Sequence, residues 1–164
     1  MTDIPAIQAA LREFGFDAWL LGDFRGSNIL ARRILGIPED TMGSRRWHYL
    51  IPATGEPVKL VHRIESSMLD HLPGEKITYL RWQDWDAGVT KLALLGRVPL
   101  AQPVPKIAME YSPRNCNPYI SRVDAGTLEV VRATGAEVVS SGNLIQQFEA
   151  TWDDEQWQMH LQAA

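Results

Sequence analysis

Six short apolar runs, separated by turn residues or by stretches with helical spacing, constrain this chain more than any other feature. They fall at 17–21, 45–51, 57–62, 76–80, 106–110 and 137–139. The first, Asp17-Ala-Trp-Leu-Leu21, is apolar without alternation, as expected of a strand buried on both faces and covered by helices on both sides. The covering helices are legible as well. Ile4, Ile7, Leu11 and Phe14 recur at helical spacing, and Gly15 follows as a stop. Ser27 is placed to cap a second helix through Leu35, closed by Gly36 and Pro38. The strand at 45–51, a turn at 52–57 and a returning strand at 57–62 predict a hairpin. A short helix is expected over 65–72, ended by Pro73-Gly74.

Farther along, Trp82, Trp85, Val89 and Leu92 define an amphipathic helix stopped at Gly96. A Pro-rich connection leads to the fifth strand. Ser121 or Asp124 then caps a helix carrying Leu128 and Val131, and Gly135 closes it. After the sixth strand, Ser140 or Ser141 caps a helix through Leu144, Ile145 and Phe148. The expected fold is a three-layer α/β domain with a six-stranded mixed sheet over residues 1–150.

Residues 151–164 read differently. Thr151 is the expected N-cap of a last helix, with Asp154 in a capping-box-like position. Trp157 and Leu161 form an apolar stripe with little to pack against, and none of the usual stop signals (Gly, Pro or a basic last turn) ends the run. The expectation is that this helix begins a link to a further domain.

Composition narrows the function classes. A net charge of −4 and a pI near 5.5 disfavour a nucleic-acid binder, which usually shows a basic stripe. Arg32-Arg33 and Arg45-Arg46 are basic pairs too small to change that. The one cysteine, Cys116, rules out an intramolecular disulfide and fits a reducing compartment. No apolar run approaches the roughly 20 residues of a membrane span. The amino terminus, Met-Thr-Asp-Ile-Pro, lacks the basic region and apolar core of a secretory signal, so a cytoplasmic location is expected.

Motifs for chemistry are absent. Four histidines, at 48, 62, 71 and 160, form no paired metal-ligand spacing, and the acids at 153–155 suit a first helical turn. Gly22-Asp-Phe-Arg-Gly26 follows the first strand but lacks the Lys-Ser/Thr of a P-loop and the dinucleotide fingerprint. No Gly-x-Ser-x-Gly elbow exists. Two surfaces remain. In the second strand, Arg46, His48 and Leu50 share one face, and Arg45, Trp47, Tyr49 and Ile51 the other. The arginines could hold a carboxylate bidentately, or their stems could cover apolar surface at a solvated strand end. The helix around Trp82 and Trp85 suits core packing or an interface.

Taken in order, Ile107-Ala-Met-Glu-Tyr-Ser-Pro113, Pro118-Tyr-Ile-Ser-Arg-Val-Asp-Ala-Gly-Thr127, Val138-Val-Ser-Ser141 and residues 144–149 resemble the N-terminal domain of the creatinase and Xaa-Pro peptidase family. Residues 22–28 and 45–52 fit the same domain, so the resemblance runs from the first helix to Glu149. It implies a ribonuclease-H-like fold. It also implies a separate "pita-bread" catalytic domain beyond Ala164, which would carry two divalent metals, manganese or cobalt. No residue of this chain would then be catalytic or a metal ligand.

In such enzymes the N-terminal domain helps assemble dimers or tetramers, and it places side chains near a neighbouring active site. In creatinase an arginine at the start of the second strand reaches the substrate carboxylate. Arg46 takes the matching position, although Ser44-Arg-Arg-Trp47 stands where creatinase has an aromatic-Gly-Arg-Pro pattern. The resulting candidates for substrate proximity or interface are Arg46, Arg45, Trp47, Phe24 and Arg25. The expected partners are the chain's own catalytic domain, further copies of the chain and a peptide substrate, with neither nucleic acid nor membrane. Two alternatives stay open: a free-standing module binding a small anion at 22–28 and 45–46, and the N-terminal domain of a creatinase-like C–N hydrolase.

Overall fold

A computed structural model describes residues 2–96, 104–151 and 154–163. Six strands form one sheet: β1 (Ala18–Asp23), β2 (Trp47–Pro52), β3 (Val58–His62), β4 (Glu75–Tyr79), β5 (Lys106–Met109) and β6 (Glu137–Ser140). Their order is β4-β3-β2-β1-β5-β6. β2 pairs antiparallel with both β1 and β3, whereas the β3–β4, β1–β5 and β5–β6 pairs are parallel. So β2 alone among these strands runs against the rest, and its beginning lies beside the carboxyl end of β1, with Trp47 opposite Asp23.

Helices α1 (Ile4–Glu13), α2 (Ile29–Ile34) and α5 (Gly142–Phe148) cover one face of the sheet, and α3 (Trp82–Leu95) and α4 (Ala125–Ala133) the other. The strand period of two divides the side chains between these layers. Trp19, Leu21, Trp47, Tyr49 and Ile51 join the first core, and Ala18, Leu20, Leu50 and Leu60 the second. A leucine buried as fully as Leu20 or Leu60 contributes roughly 1.5–3 kcal/mol. The three-layer α/β fold with a mixed six-stranded sheet is therefore the one expected.

Local chemistry corrects several boundaries. Asn28, not Ser27, caps α2, its side chain accepting from the Ala31 amide at 3.1 Å. Asp124, not Ser121, caps α4 through the Thr127 amide at 3.0 Å. Before α5, Ser141 holds the cap position but makes no capping bond, because its hydroxyl is turned to Glu110; Ser140 Oγ accepts from the Gly142 amide instead. β2 begins at Trp47 rather than Arg45, because the Glu65 carboxylate takes the amides of Ser44 and Arg45 and holds them out of the sheet. That same use of Glu65 replaces the helix expected over 65–72. A 3-10 turn, Arg63–Glu65, is followed by i→i+3 bonds from Met68, Asp70 and Leu72, which do not propagate into an α-helix. On α3, Trp85 is in the core but Trp82 is 66% exposed.

The last helix, α6 (Asp154–Ala163), has Trp157 and Leu161 both about half exposed. Trp152 and Asp153 lie outside the described residues, so the expected capping by Thr151 and the acidic first turn do too.

The layers meet at Glu110, which is fully buried just past β5. Its carboxylate accepts from Trp19 Nε1 of β1 at 2.7 Å, from Asn28 Nδ2 at 2.8 Å and from the Ser141 hydroxyl at 3.3 Å. Burial raises its pKa from 4.5 to about 7, although the three donors pull the other way. The stability tied to this raised pKa is present below 4.5 and is lost as pH rises through 7. Denaturant unfolding across that window is therefore expected to show a fall, on the order of 3 kcal/mol, that Glu110→Gln removes. Glu110→Ala, by orphaning buried Trp19 and Asn28 donors, is expected to cost about 3 kcal/mol or more at pH 5.

Candidate functional site

The reversal of β2 creates a cavity of about 310 Å³ on the α3/α4 side of the sheet. Gly22, Asp23 and Phe24 line it from β1 and the turn after it, Met109 from the end of β5, and Arg46 and His48 from the start of β2. Arg122, Val123, Asp124 and Thr127 close it from the α4 side. Such a place, at the carboxyl ends of neighbouring parallel strands, is where ligands of open α/β sheets bind.

Each side chain is set by its local fold. The Arg46 carbonyl accepts from the Tyr79 hydroxyl at 2.7 Å, and the Arg46 guanidinium stacks 4.2 Å from the centroid of the Trp85 ring. On the strand beside it, His48 Nε2 lies 3.0 Å from Trp85 Nε1. An indole N–H can only donate, so His48 Nε2 accepts and the neutral ring carries its proton on Nδ1. Burial, then the positive charge of Arg46, lowers the His48 pKa from 6.5 to about 4. Among the described residues the Nδ1–H has no hydrogen-bond partner. It faces Gly22, its cross-strand neighbour, where an added Cβ would collide with Nδ1.

On the opposite wall, the Arg122 and Val123 amides both donate to the Glu110 carbonyl, at 2.8 and 3.2 Å, which brings the Arg122 side chain to the cavity. The Asp124 carboxylate is committed to the Thr127 amide and hydroxyl. Desolvation would push its pKa up, but those bonds outweigh it, with a further contribution from Arg46, and hold the carboxyl below the ordinary value.

The five sequence candidates do not form one site. Arg46 and Phe24 share the cavity. Trp47 is buried in the other core, beneath the opposite face of the sheet. The Arg45 backbone is tied to Glu65. Arg25, in a left-handed conformation with φ 58°, lines a second groove with Ile29, Thr41, Met42 and Glu65. Nor does the 22–28 turn offer its amides to a phosphate, because Asp23 already accepts from Gly26 and Asn28 at 3.0 and 2.8 Å and lies 3.5 Å from Arg32. Sequence reasoning put His48 on the Arg46 face but assigned it no role, and it passed over Glu110 and Arg122. The signal for His48 was the glycine opposite it, which is visible only once the register is known. Among the described residues no group of three or more His, Cys, Asp or Glu could hold a metal ion. No helix among them is long and apolar enough to cross a membrane.

Comparison with known proteins adds the architecture's context. No family model and no curated protein matches the sequence. Solved structures do match. A prolidase from Thermococcus sibiricus superposes with a TM-score of 0.68 at 15% identity, over 98% of this chain and 40% of that one. The N-terminal domain of an Xaa-Pro dipeptidase from Lactobacillus brevis gives 0.59 at 12% identity, over 88% and 98% of the two chains. A Creatine_N superfamily domain of a dipeptidase from Streptococcus thermophilus gives 0.58 at 16% identity, over 90% and 98%. The chain thus has the fold of these N-terminal domains, and it spans about 40% of the length of the Thermococcus prolidase.

Two outcomes test the site's geometry. The His48 ring, followed by imidazole 15N shifts, is expected to titrate near pH 4; because its pKa is lowered on folding, the stability tied to it is lost as pH falls from 6.5 toward 4. Gly22→Ala is expected to lower unfolding stability by about 1–3 kcal/mol, measured by denaturant midpoint, because the His48 ring must move.

Proposed function

From a fold shared with the N-terminal domains of prolidases and Xaa-Pro dipeptidases, we propose that this chain is the non-catalytic N-terminal domain of a dimetal Xaa-Pro aminopeptidase or dipeptidase. It would serve subunit assembly and restrict substrate access during hydrolysis of peptide bonds next to proline. The observation that carries this reading is coverage. Nearly the whole chain superposes on part of a prolidase, and it also superposes on nearly the whole of isolated N-terminal domains. The manganese or cobalt pair would belong to the catalytic domain, since the described residues here do not supply a ligand set. The full enzyme would be cytoplasmic and a homo-oligomer, at least a dimer.

Within this reading Arg46 is the residue of this chain that meets substrate. Its guanidinium, held against Trp85 at the start of β2, is exposed and rigid enough to pair with a peptide carboxylate. Phe24, beside it, and the exposed Arg45 and Arg25 around the same end of the sheet are candidates for the surface where subunits meet, whereas Trp47, buried in the core, is not. A creatinase-like C–N hydrolase would use the same N-terminal fold and differ only in its catalytic half.

The division of labour is tested by assaying this chain and the longer gene product with an Xaa-Pro dipeptide and manganese, with creatine as a parallel substrate. The short chain is expected to be inactive and the long one to cleave the dipeptide. Peptidase activity in the short chain contradicts the proposal, and turnover of creatine alone favours the C–N hydrolase. In the longer product, Arg46→Gln is expected to raise KM about tenfold with little change in kcat.

A further inference from the structure

Ile64, Leu80 and Trp82 are each half or more exposed at the end of the sheet where β3 and β4 finish. Hydrogen bonds make them one surface. His62 Nδ1 accepts from the Ile64 amide at 3.1 Å and its Nε2–H donates to the Leu80 carbonyl at 3.1 Å, so a single ring ties the two turns together. Glu65, next along the first turn, takes the Ser44 and Arg45 amides. Trp82 opens α3, where Arg81 and Asp84 form a capping box. Residues 44–46, 62–65 and 80–84 hold four arginines and two acids. Both acids are spent, Glu65 on those amides and Asp84 on Arg81. Among the described residues Arg45 and Arg63 close no salt bridge. Exposed apolar groups rimmed by charge mark interaction surfaces, and Trp and Arg are enriched among the residues that dominate binding.

The chain itself carries the complement. Its net charge of −4 lies wholly in residues 149–164, which contain four acids and neither Lys nor Arg, so residues 1–148 are neutral overall. In that segment α6 presents Trp157 and Leu161, four apart on one helix face and both about half exposed. Within one molecule the two surfaces lie apart. The caps of α2 and α5, Asn28 and Ser141, both bond Glu110 at the carboxyl end of the strands, and the two helices run back to the Arg33–Glu149 pair at 3.0 Å. So α6 departs from the opposite end of the sheet, and its ten residues span only about 15 Å. We propose that a second copy of this chain covers the patch, the α6 of each copy lying across Ile64, Leu80 and Trp82 of the other, with the acids of its segment towards Arg45, Arg63 and Arg81. Each copy has both surfaces, so a two-fold axis makes the contact twice and closes a dimer. This rests on the subunit-assembly part of the reading above; association of this chain and hydrolysis by the longer product are read separately, so each can fail alone.

The test is sedimentation velocity of the 164-residue chain over a range of concentrations. The expected result is a monomer–dimer equilibrium with a Kd of about 10 μM, the strength of a small charged interface, weakening several-fold as NaCl rises from about 50 to 500 mM. Trp82→Ser and Trp157→Ser, both changes at exposed positions that are expected to leave thermal unfolding as it was, should each weaken association about thirtyfold or more. Arg63→Glu, which reverses one exposed charge of the patch, is expected to act in the same direction as Trp82→Ser. Mixing the two Trp variants is expected to restore association in part, because the intact α6 of the first meets the intact patch of the second. The proposal is overturned by a chain that stays monomeric at about 500 μM. It is equally overturned by a dimer indifferent to Trp157→Ser or to Arg63→Glu, or by a mixture that associates no better than either variant alone.

Discussion

The buried carboxyl of Glu110 is the point through which the layers of this domain are joined. It lies past the end of β5 and takes hydrogen bonds from a tryptophan on β1, the asparagine that caps α2 and a serine at the start of α5. Its own backbone carbonyl holds the segment that enters α4. One residue therefore fixes elements on both faces of the sheet. A fully buried carboxyl is costly unless its lone pairs are used, and here three donors use them. That requirement explains why Asn28 rather than Ser27 caps α2. The longer amide caps with its oxygen while its nitrogen bonds both Glu110 and the Gly22 carbonyl. It also explains why the Ser141 hydroxyl is unavailable for its own helix.

The second constraint is the direction of β2. Running against its neighbours, it delivers its first residues to the end of the sheet where β1 and β5 finish. In an all-parallel sheet Arg46 and His48 would lie at the opposite edge from Asp23, Met109 and α4. Trp85 then sets both side chains at once, one stacked on its face and the other bonded to its edge. The cavity is a consequence of topology, walled by residues that each have a separate structural reason to be there.

The elements were largely legible because their signals are local. Helical spacing found α1, α3 and α4, and the apolar runs found all six strands to within a few residues. Most of the boundary errors share one cause, a polar side chain recruited by something far away in sequence. Glu65 was read as the start of a helix, but it holds the loop before β2. The helix around Trp82 and Trp85 suited core packing or an interface, and the structure puts Trp85 in the core while Trp82 stays exposed. Of the candidate residues, Arg46 and Phe24 meet and the others are scattered. Side-chain types at a strand start do not say which neighbour lies across from them.

By itself, the order of amino acids determined the type of every strand and of every helix but the one expected over 65–72, the two helical layers and the lack of a recognisable catalytic motif, since these follow from periodicity, caps and spacing within a few residues. Strand order, the reversal of β2 and the burial of Glu110 were decided only in three dimensions. So was the unpaired proton on His48. The physical reason is separation along the chain: Trp19 and Glu110 stand 91 residues apart, Asn28 and Glu110 82, and His48 and Trp85 37. No local rule can weigh a hydrogen bond whose partner is that distant, and the cost of leaving it unmade exists only once the core has closed around it.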